Sequence, residues 1–478
     1  MAVLENLEPK SVFGFFEQMA SIPHGSGNTK QVSDWLVSFA KERGLEYYQD
    51  ELNNVIIIKE ATPGYENGEP IILQGHMDMV CQQAPDCTKN MEVDGLDLGI
   101  DGDTVYAKGT TLGGDDGIAV AMCLAVLDAE DLPHPRVEAV FTVDEETGMY
   151  GAIGIDVAPL KARRLLNIDS EDEGMFTVSC AGGNISRCTL PVVRADFAGE
   201  ALTVTVDGLQ GGHSGIEINK GRANSNMTMG RILSAIRAKT DLRIVDVTGG
   251  QKDNAIPNCT VANILVADAE AARAVCAAMD ADLKAEYVTT DPAITVHVEA
   301  GKAASAMDKA ATDKVICMLT CLPNGIQVMS ADIEGLVQTS LNLGVLFTEE
   351  NQLTASFCVR SSVESLKAMV VDRLRNLMAQ LGGAVDVQGD YPGWAYQQES
   401  PLRDLLVEVF SEQYGREPKV EAIHAGVECG MFVGKMPGLD CVSIGPDLRN
   451  VHTFNERMYI GSVQRTWKLL LETLKRMK

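Results

Sequence analysis

Short apolar runs of strand length, alternating with helical runs, predict an α/β chain. The expected architecture is a mostly parallel, mixed sheet flanked by helices and interrupted by an inserted α+β module. In the first part, 54–59, 70–74, 137–143 and 164–168 are rich in Ile and Val and too short for helices. Between them, 117–129 is a dense run of Ala, Val, Met and Leu, long enough for a buried helix. The pattern changes near Pro191. Alternate residues become apolar (Leu202, Val204, Val206), and longer amphipathic helices are expected at 225–238, 268–287 and 363–381, the second with Asp268 as its N-cap. After the turn-like GDYPGW at 389–394 the first pattern returns, with a helix at 401–414, strands at 420–423 and 440–444, and a final helix running to 478.

With 478 residues the chain exceeds what one hydrophobic core normally serves. The predicted division is a first domain at 1–190 that resumes at 391–478, with 191–390 inserted. The insert is large enough for two copies of a smaller unit, although no sequence repeat is visible in it.

Composition narrows the partners. Forty Lys and Arg stand against 67 Asp and Glu, a formal charge of −27, which repels the polyanions of nucleic acid and anionic membranes. No partner of either kind is expected. The N-terminus has no basic, apolar and small-residue series of a secretory signal, and no run approaches a membrane span. The 12 cysteines are scattered without a CxxC pair and sit largely in apolar surroundings (Cys123, Cys276, Cys317), as expected of reduced thiols in a cytoplasmic protein.

Four segments share one layout, an apolar strand leading into a histidine or acid. They are IILQGHMD at 71–78, VFTVDEETG at 140–148, LLNIDSEDEG at 165–174 and VSIGPDLRNVH at 442–452. A fifth, TLGGDDG at 111–117, places Asp115 just ahead of the long apolar helix. In open α/β sheets, ligands gather outside the carboxyl ends of the strands. Carboxylates and neutral imidazoles suit divalent ions, and two ions can share five such residues if one acid bridges them. Such an ion acidifies a water toward a pKa of ~7, and a nearby carboxylate can take up its proton. Each piece alone has an ordinary reading: a solvated loop end for Glu145 and Glu146, a helix cap for Asp115, a surface histidine for His452. Together in one chain they point to a two-metal hydrolytic centre.

The segments HMD, GGDDG, DEETG, NIDSEDEG, GGHSG, HAGVECG and SIGP with the later His452 resemble those of the aminoacyl-histidine dipeptidases. These are a branch of the two-zinc metallopeptidases that include glutamate carboxypeptidases, aminoacylases and carnosinases. The resemblance runs over nearly the whole chain. It implies a zinc-peptidase-like catalytic domain, an inserted lid, and hydrolysis of unblocked dipeptides, Xaa-His and carnosine-like ones included. By the resemblance, His76, Asp115 and Asp169 hold one ion, and Asp115, Glu146 and His452 hold the other. Zinc is the expected metal, and cobalt and manganese can share such ligands. Glu145 is implied as the general base, Asp78 as the residue that orients His76, and His213 as the group that steadies the oxyanion. A cis peptide is implied between Asp115 and Asp116. Arg360 resembles a residue for the substrate carboxylate, with a surface arginine as the alternative, and Asn254 a substrate hydrogen-bonding partner. Glu428 either receives the dipeptide's amino group or caps its helix. Relatives of this kind often dimerise, so a homodimer is allowed.

Overall fold

In the computed structural model, which describes residues 2–302 and 304–478, the Ile- and Val-rich runs become the middle of an eight-stranded sheet. Its order is Glu46–Gln49, Val55–Lys59, Val137–Thr142, Ile71–His76, Arg164–Asn167, Asp440–Ser443, Met175–Cys180 and Lys419–Ile423. The four strands from Val137–Thr142 to Asp440–Ser443 are mutually parallel, and antiparallel pairs adjoin them on both sides. Every residue of Ile71–His76 and of Val137–Thr142 is buried, the signature of strands covered on both faces. The helix Gly114–Asp128 packs on Ile71–His76 and is apolar all round; all residues from Gly114 to Leu127 are buried. It begins further upstream than the apolar run alone predicts, because Asp115 and Asp116 form its irregular first turn, with a cis peptide between them.

The chain divides into two compact units. One comprises Met1–Ser179, Tyr396–Ala422 and Val427–Lys478; the other comprises Cys180–Ala395 and Ile423–Gly426. The strand Gly182–Pro191 belongs to the second, since it pairs along its length with Gln352–Ser361 and also with Ala384–Tyr391.

The second unit is an antiparallel sheet with helices on one face. Strand Glu200–Asp207 alternates buried and half-buried residues, as a sheet with one open face requires. Helices Ser225–Arg237, Ala269–Glu286, Lys309–Cys321 and Glu364–Leu381 supply Ile232, Cys276, Val315 and Leu374 to its core. Asp268 caps the second of these by accepting from Ala271 N at 3.0 Å. The sheet order contains a repeat. Glu200–Asp207, Leu242–Gly249, Thr260–Val266 and Thr295–Ala300 lie in the order fourth, first, third, second. Gly182–Pro191, Val337–Thr348, Gln352–Ser361 and Ala384–Tyr391 lie in the same order read from the opposite edge, so two βαββαβ halves meet through their second strands in one sheet.

Among the described residues the cysteines form no disulfide. Cys123 and Cys276 are buried as expected, but Cys317 is only half-buried and Cys81, Cys259 and Cys321 are exposed. Cys317 faces outward because the apolar side of its helix is made by Val315, Ile316, Met318 and Leu319.

Candidate metal centre and active site

Six of the sequence-derived residues meet at the carboxyl ends of the parallel strands. His76 ends its strand, Asp169 follows Arg164–Asn167 by two residues, and Glu145 and Glu146 lie in the turn after Val137–Thr142. Asp115 comes from the first turn of the long helix. His452 comes from a turn beyond Leu448–Arg449, where its φ of 61° is left-handed.

Asp115 is the junction. Its Oδ1 lies 3.0 Å from His76 Nε2 and its Oδ2 3.0 Å from His452 Nε2. Asp169 Oδ1 stands 3.6 Å from the same His76 nitrogen, and Glu146 Oε1 3.0 Å from His452 Nε2. Ligand atoms of Asp115, Glu146 and His452 all fall within 4.8 Å of one another, as do those of His76, Glu145 and Glu146.

The donor set fits a cation. His76 Nδ1 lies 3.0 Å from the Asp78 carbonyl oxygen, which can only accept, so Nδ1 carries the hydrogen. The lone pair of Nε2 then faces the oxygens of Asp115 and Asp169, an arrangement that calls for a positive charge between them. Glu146 Oε1 is buried and makes no hydrogen bond despite its closeness to His452.

Electrostatics agree. Burial raises the Asp115 carboxyl, but the His452 and His76 rings outweigh it and hold the group well below the usual carboxylate range. Asp115 and Glu146 raise His452 to about 11. Burial lowers His76, yet its bonds to Asp115 and Asp169 leave it well above an ordinary imidazole. Glu145 makes no such pair. Burial, with Glu428 and Glu146 nearby, pushes it up to about 8, a value suited to a group that takes up and gives back a proton near neutrality.

Asp78 contacts both His76 and the turn after Val137–Thr142. Its carbonyl holds His76, while its carboxylate accepts from Glu145 N at 3.1 Å, Glu146 N at 3.4 Å and Ser26 Oγ at 2.8 Å. One residue thus ties His76 to the turn that carries Glu145 and Glu146.

Glu428 is fully buried. Its Oε2 accepts from Gln74 Nε2 at 2.6 Å and Thr142 Oγ1 at 2.7 Å, its Oε1 has no hydrogen-bond partner, and burial raises its carboxyl to about 7. It does not cap the helix it begins: the N-cap position is Val427, with no side-chain bond.

The remaining residues lie in the second unit. His213 Nδ1 accepts from Gly215 N and Ile216 N, each at 3.2 Å, and Ser214 N donates to the Asn254 carbonyl at 2.9 Å. Burial, and then the Arg360 charge, lowers the His213 imidazole. Arg360 is not a surface arginine. It is 7% exposed, donates from Nη1 to the Tyr391 hydroxyl at 3.4 Å, and keeps its buried Nε without a partner. Arg360, Asn254, Lys252 and Tyr391 line a cleft of about 450 Å³.

Sequence reasoning passed over Asp116 and Glu456. Asp116 groups with His76 and Asp169 within 4.8 Å and accepts from His76 N at 3.2 Å. Its position beside Asp115 was the available signal. Glu456 carried none, since an acid in a polar turn reads as solvated; it is 2% exposed.

The chain is 37% identical over 484 aligned residues to the cytosol non-specific dipeptidase of Escherichia coli (strain K12), covering 99% of both. It superposes on an aminoacylhistidine dipeptidase from Vibrio alginolyticus with a TM-score of 0.95 at 36% identity, covering 99% of this chain and 98% of that one. Aminopeptidase PepT from Bacillus cereus shares the fold, with a TM-score of 0.56 at 15% identity over 98% of this chain and 99% of that one. The model of peptidase family M20/M25/M40 matches residues 72–476, a span that takes in the whole cluster from His76 to His452. The chain belongs to peptidase family M20/M25/M40.

Proposed function

We propose that this peptidase is a metal-dependent dipeptidase acting on unblocked dipeptides, Xaa-His and carnosine-like ones among them, in the cytoplasm. One observation carries the reading: Asp115 offers one carboxylate oxygen to each of two histidines at 3.0 Å. His76 and Asp169 on one side, and Glu146 and His452 on the other, complete two sets of ligands for divalent ions, with zinc as the proposed metal. When bound, two such ions acidify a water and polarise the scissile carbonyl. Glu145 takes the proton of the attacking water and returns it to the leaving amine. Asp78 holds His76 and the Glu145 turn in register for that transfer. His213 is assigned to the developing oxyanion, Arg360 to the substrate carboxylate and Asn254 to a substrate hydrogen bond. These assignments rest on their motifs, and for Arg360 also on its buried, unpartnered Nε. Glu428 is assigned to the substrate's ammonium group, and its buried Oε1, which has no hydrogen-bond partner, supports that assignment. The names of the Escherichia coli and Vibrio relatives support a dipeptidase over an N-acyl amino acid deacylase or a carboxypeptidase. The retained base Glu145 argues against a metal-binding scaffold without activity.

The test is release of amino acids from a panel of free dipeptides and their N-acetylated forms, with chelator and Glu145→Ala as controls. The expected result is cleavage of the free dipeptides alone, abolished by either control. Turnover confined to the acetylated panel assigns the chain to the deacylases, and metal uptake without turnover of either assigns it a binding role.

A further inference from the structure

Glu456 reaches from the turn after His452 to the residues that lead into Asp115. Its Oε2 accepts from Leu112 N at 2.8 Å and Gly113 N at 3.2 Å, and its Oε1 from Gly114 N at 2.8 Å and Asp115 N at 3.4 Å. Four consecutive amides therefore converge on one buried carboxylate. They stand at the start of the helix Gly114–Asp128, where N–H groups have no intrahelical acceptor and the helix end favours an anion. Gly114 lets the carboxylate come close, since a Cβ there would stand 3.2 Å from Glu456 Oε1.

The other end of the tie is the histidine turn. Glu456 N donates to Thr453 O at 3.1 Å, and Thr453 Oγ1 donates to Asn450 O at 2.7 Å, which closes the backbone around His452. Between the two tied turns lies the 3.0 Å approach of His452 Nε2 to Asp115 Oδ2.

We propose that Glu456 is a positioning residue that locks the Asp115 turn to the His452 turn and so sets the cation-holding gap between them. The inference rests on the metal reading above. Glu456 is not itself a ligand, because both of its oxygens are taken up by amides. A residue that only filled space would tolerate Glu456→Gln, which keeps the shape. As a clamp it would not, because the substituted amide turns N–H donors toward N–H donors.

The experiment is titration of the metal-free full-length protein with cobalt(II), followed by calorimetry and by the visible d–d spectrum. The proteins are wild type, Glu456→Gln, Glu456→Asp, His452→Ala and the double variant Glu456→Gln/His452→Ala. Wild type is expected to bind two cobalt ions. Glu456→Gln should weaken the second by about 10- to 100-fold, as loss of a residue behind a ligand usually does, and alter the spectrum. Glu456→Asp, charged but too short to reach all four amides, should fall between. In the His452→Ala background, Glu456→Gln should weaken cobalt binding little further. Wild-type affinity and spectrum in Glu456→Gln, or in Glu456→Asp if the former does not fold, would overturn the positioning role alone. A wild-type protein that takes up no cobalt would overturn the metal reading, and this role with it.

Discussion

Gln74 donates to Glu428, Nε2 to Oε2 at 2.6 Å, with both side chains fully buried. Gln74 also accepts from Asn167 Nδ2 at 2.6 Å, and Glu428 accepts from Thr142. Gln74, Thr142 and Asn167 precede His76, Glu145 and Asp169 by two or three residues, so the network ties together the strand ends that aim those groups. Gln74→Leu leaves a carboxylate and an amide short of partners. It should cost on the order of 3 kcal/mol in urea unfolding of the metal-free protein. A change below about 0.5 kcal/mol, within the range of neutral surface substitutions, would deny the network a structural part.

Metal should stabilise the fold as well as activate it. Asp115, Asp116, Glu145, Glu146 and Asp169 crowd one site, and a bound cation relieves their mutual repulsion. At about 100 times its dissociation constant, one ion adds about 2.7 kcal/mol. The melting temperature should therefore climb with zinc concentration and fall on chelation. A melting temperature indifferent to zinc would contradict the proposed centre.

Gly445 predicts a steric effect on Asp169. A Cβ at 445 would stand 1.7 Å from the Ser170 carbonyl oxygen, next in the chain to Asp169. Gly445→Ala should displace that segment, lower the melting temperature and reduce metal uptake. Gly14→Ala is the matching control, since it meets nothing within 4 Å and lies inside a helix; it should gain up to about 1 kcal/mol. Wild-type metal affinity in Gly445→Ala would show that the Ser170 backbone yields without moving the ligand.

His424 predicts a pH dependence. Its Nε2 lies 2.8 Å from Ser340 Oγ, and burial, with Arg360 and His213 adding repulsion, lowers its imidazole to about 3 from an ordinary 6.5. Between those values the unfolded chain holds a proton that the folded chain does not. Stability is then full above the ordinary value and falls as pH drops toward 3, by up to about 1.4 kcal/mol per pH unit. His424→Asn should flatten that slope by nearly one proton in urea midpoints across a pH series. An unchanged slope would mean that the folded state accepts the proton.

The ligand-bearing segments were legible because chemistry and sheet geometry coincide there. His76 must end a buried strand to face the site, and Asp115 must open a helix, so each leaves a short apolar run with a polar terminus. Asp268 announced itself for a similar reason, since a cap acts within its own few residues. Glu456 and Gln74 left no such trace. Glu456 and Leu112, like Gln74 and Glu428, are hundreds of positions apart in the chain, and one buried acid or amide looks like any solvated one until the fold brings its partners to it. The doubled βαββαβ order of the second unit was also silent in the residues. Pairing order depends on where strands and helices fall, and many apolar side chains serve equally well in each place.

The spread of the cluster along the chain bears on how the protein is made. His76 and Asp115 leave the ribosome early, whereas His452 emerges only after the second unit has been synthesised. Domains tend to fold as they appear, so a nascent chain can carry a finished second unit while the first still lacks His452 and Glu456. On the proposed assignment, such a chain has the residues of one ion's site but not all of the other's. On the proposed assignment, hydrolytic competence then waits for the segment that carries His452.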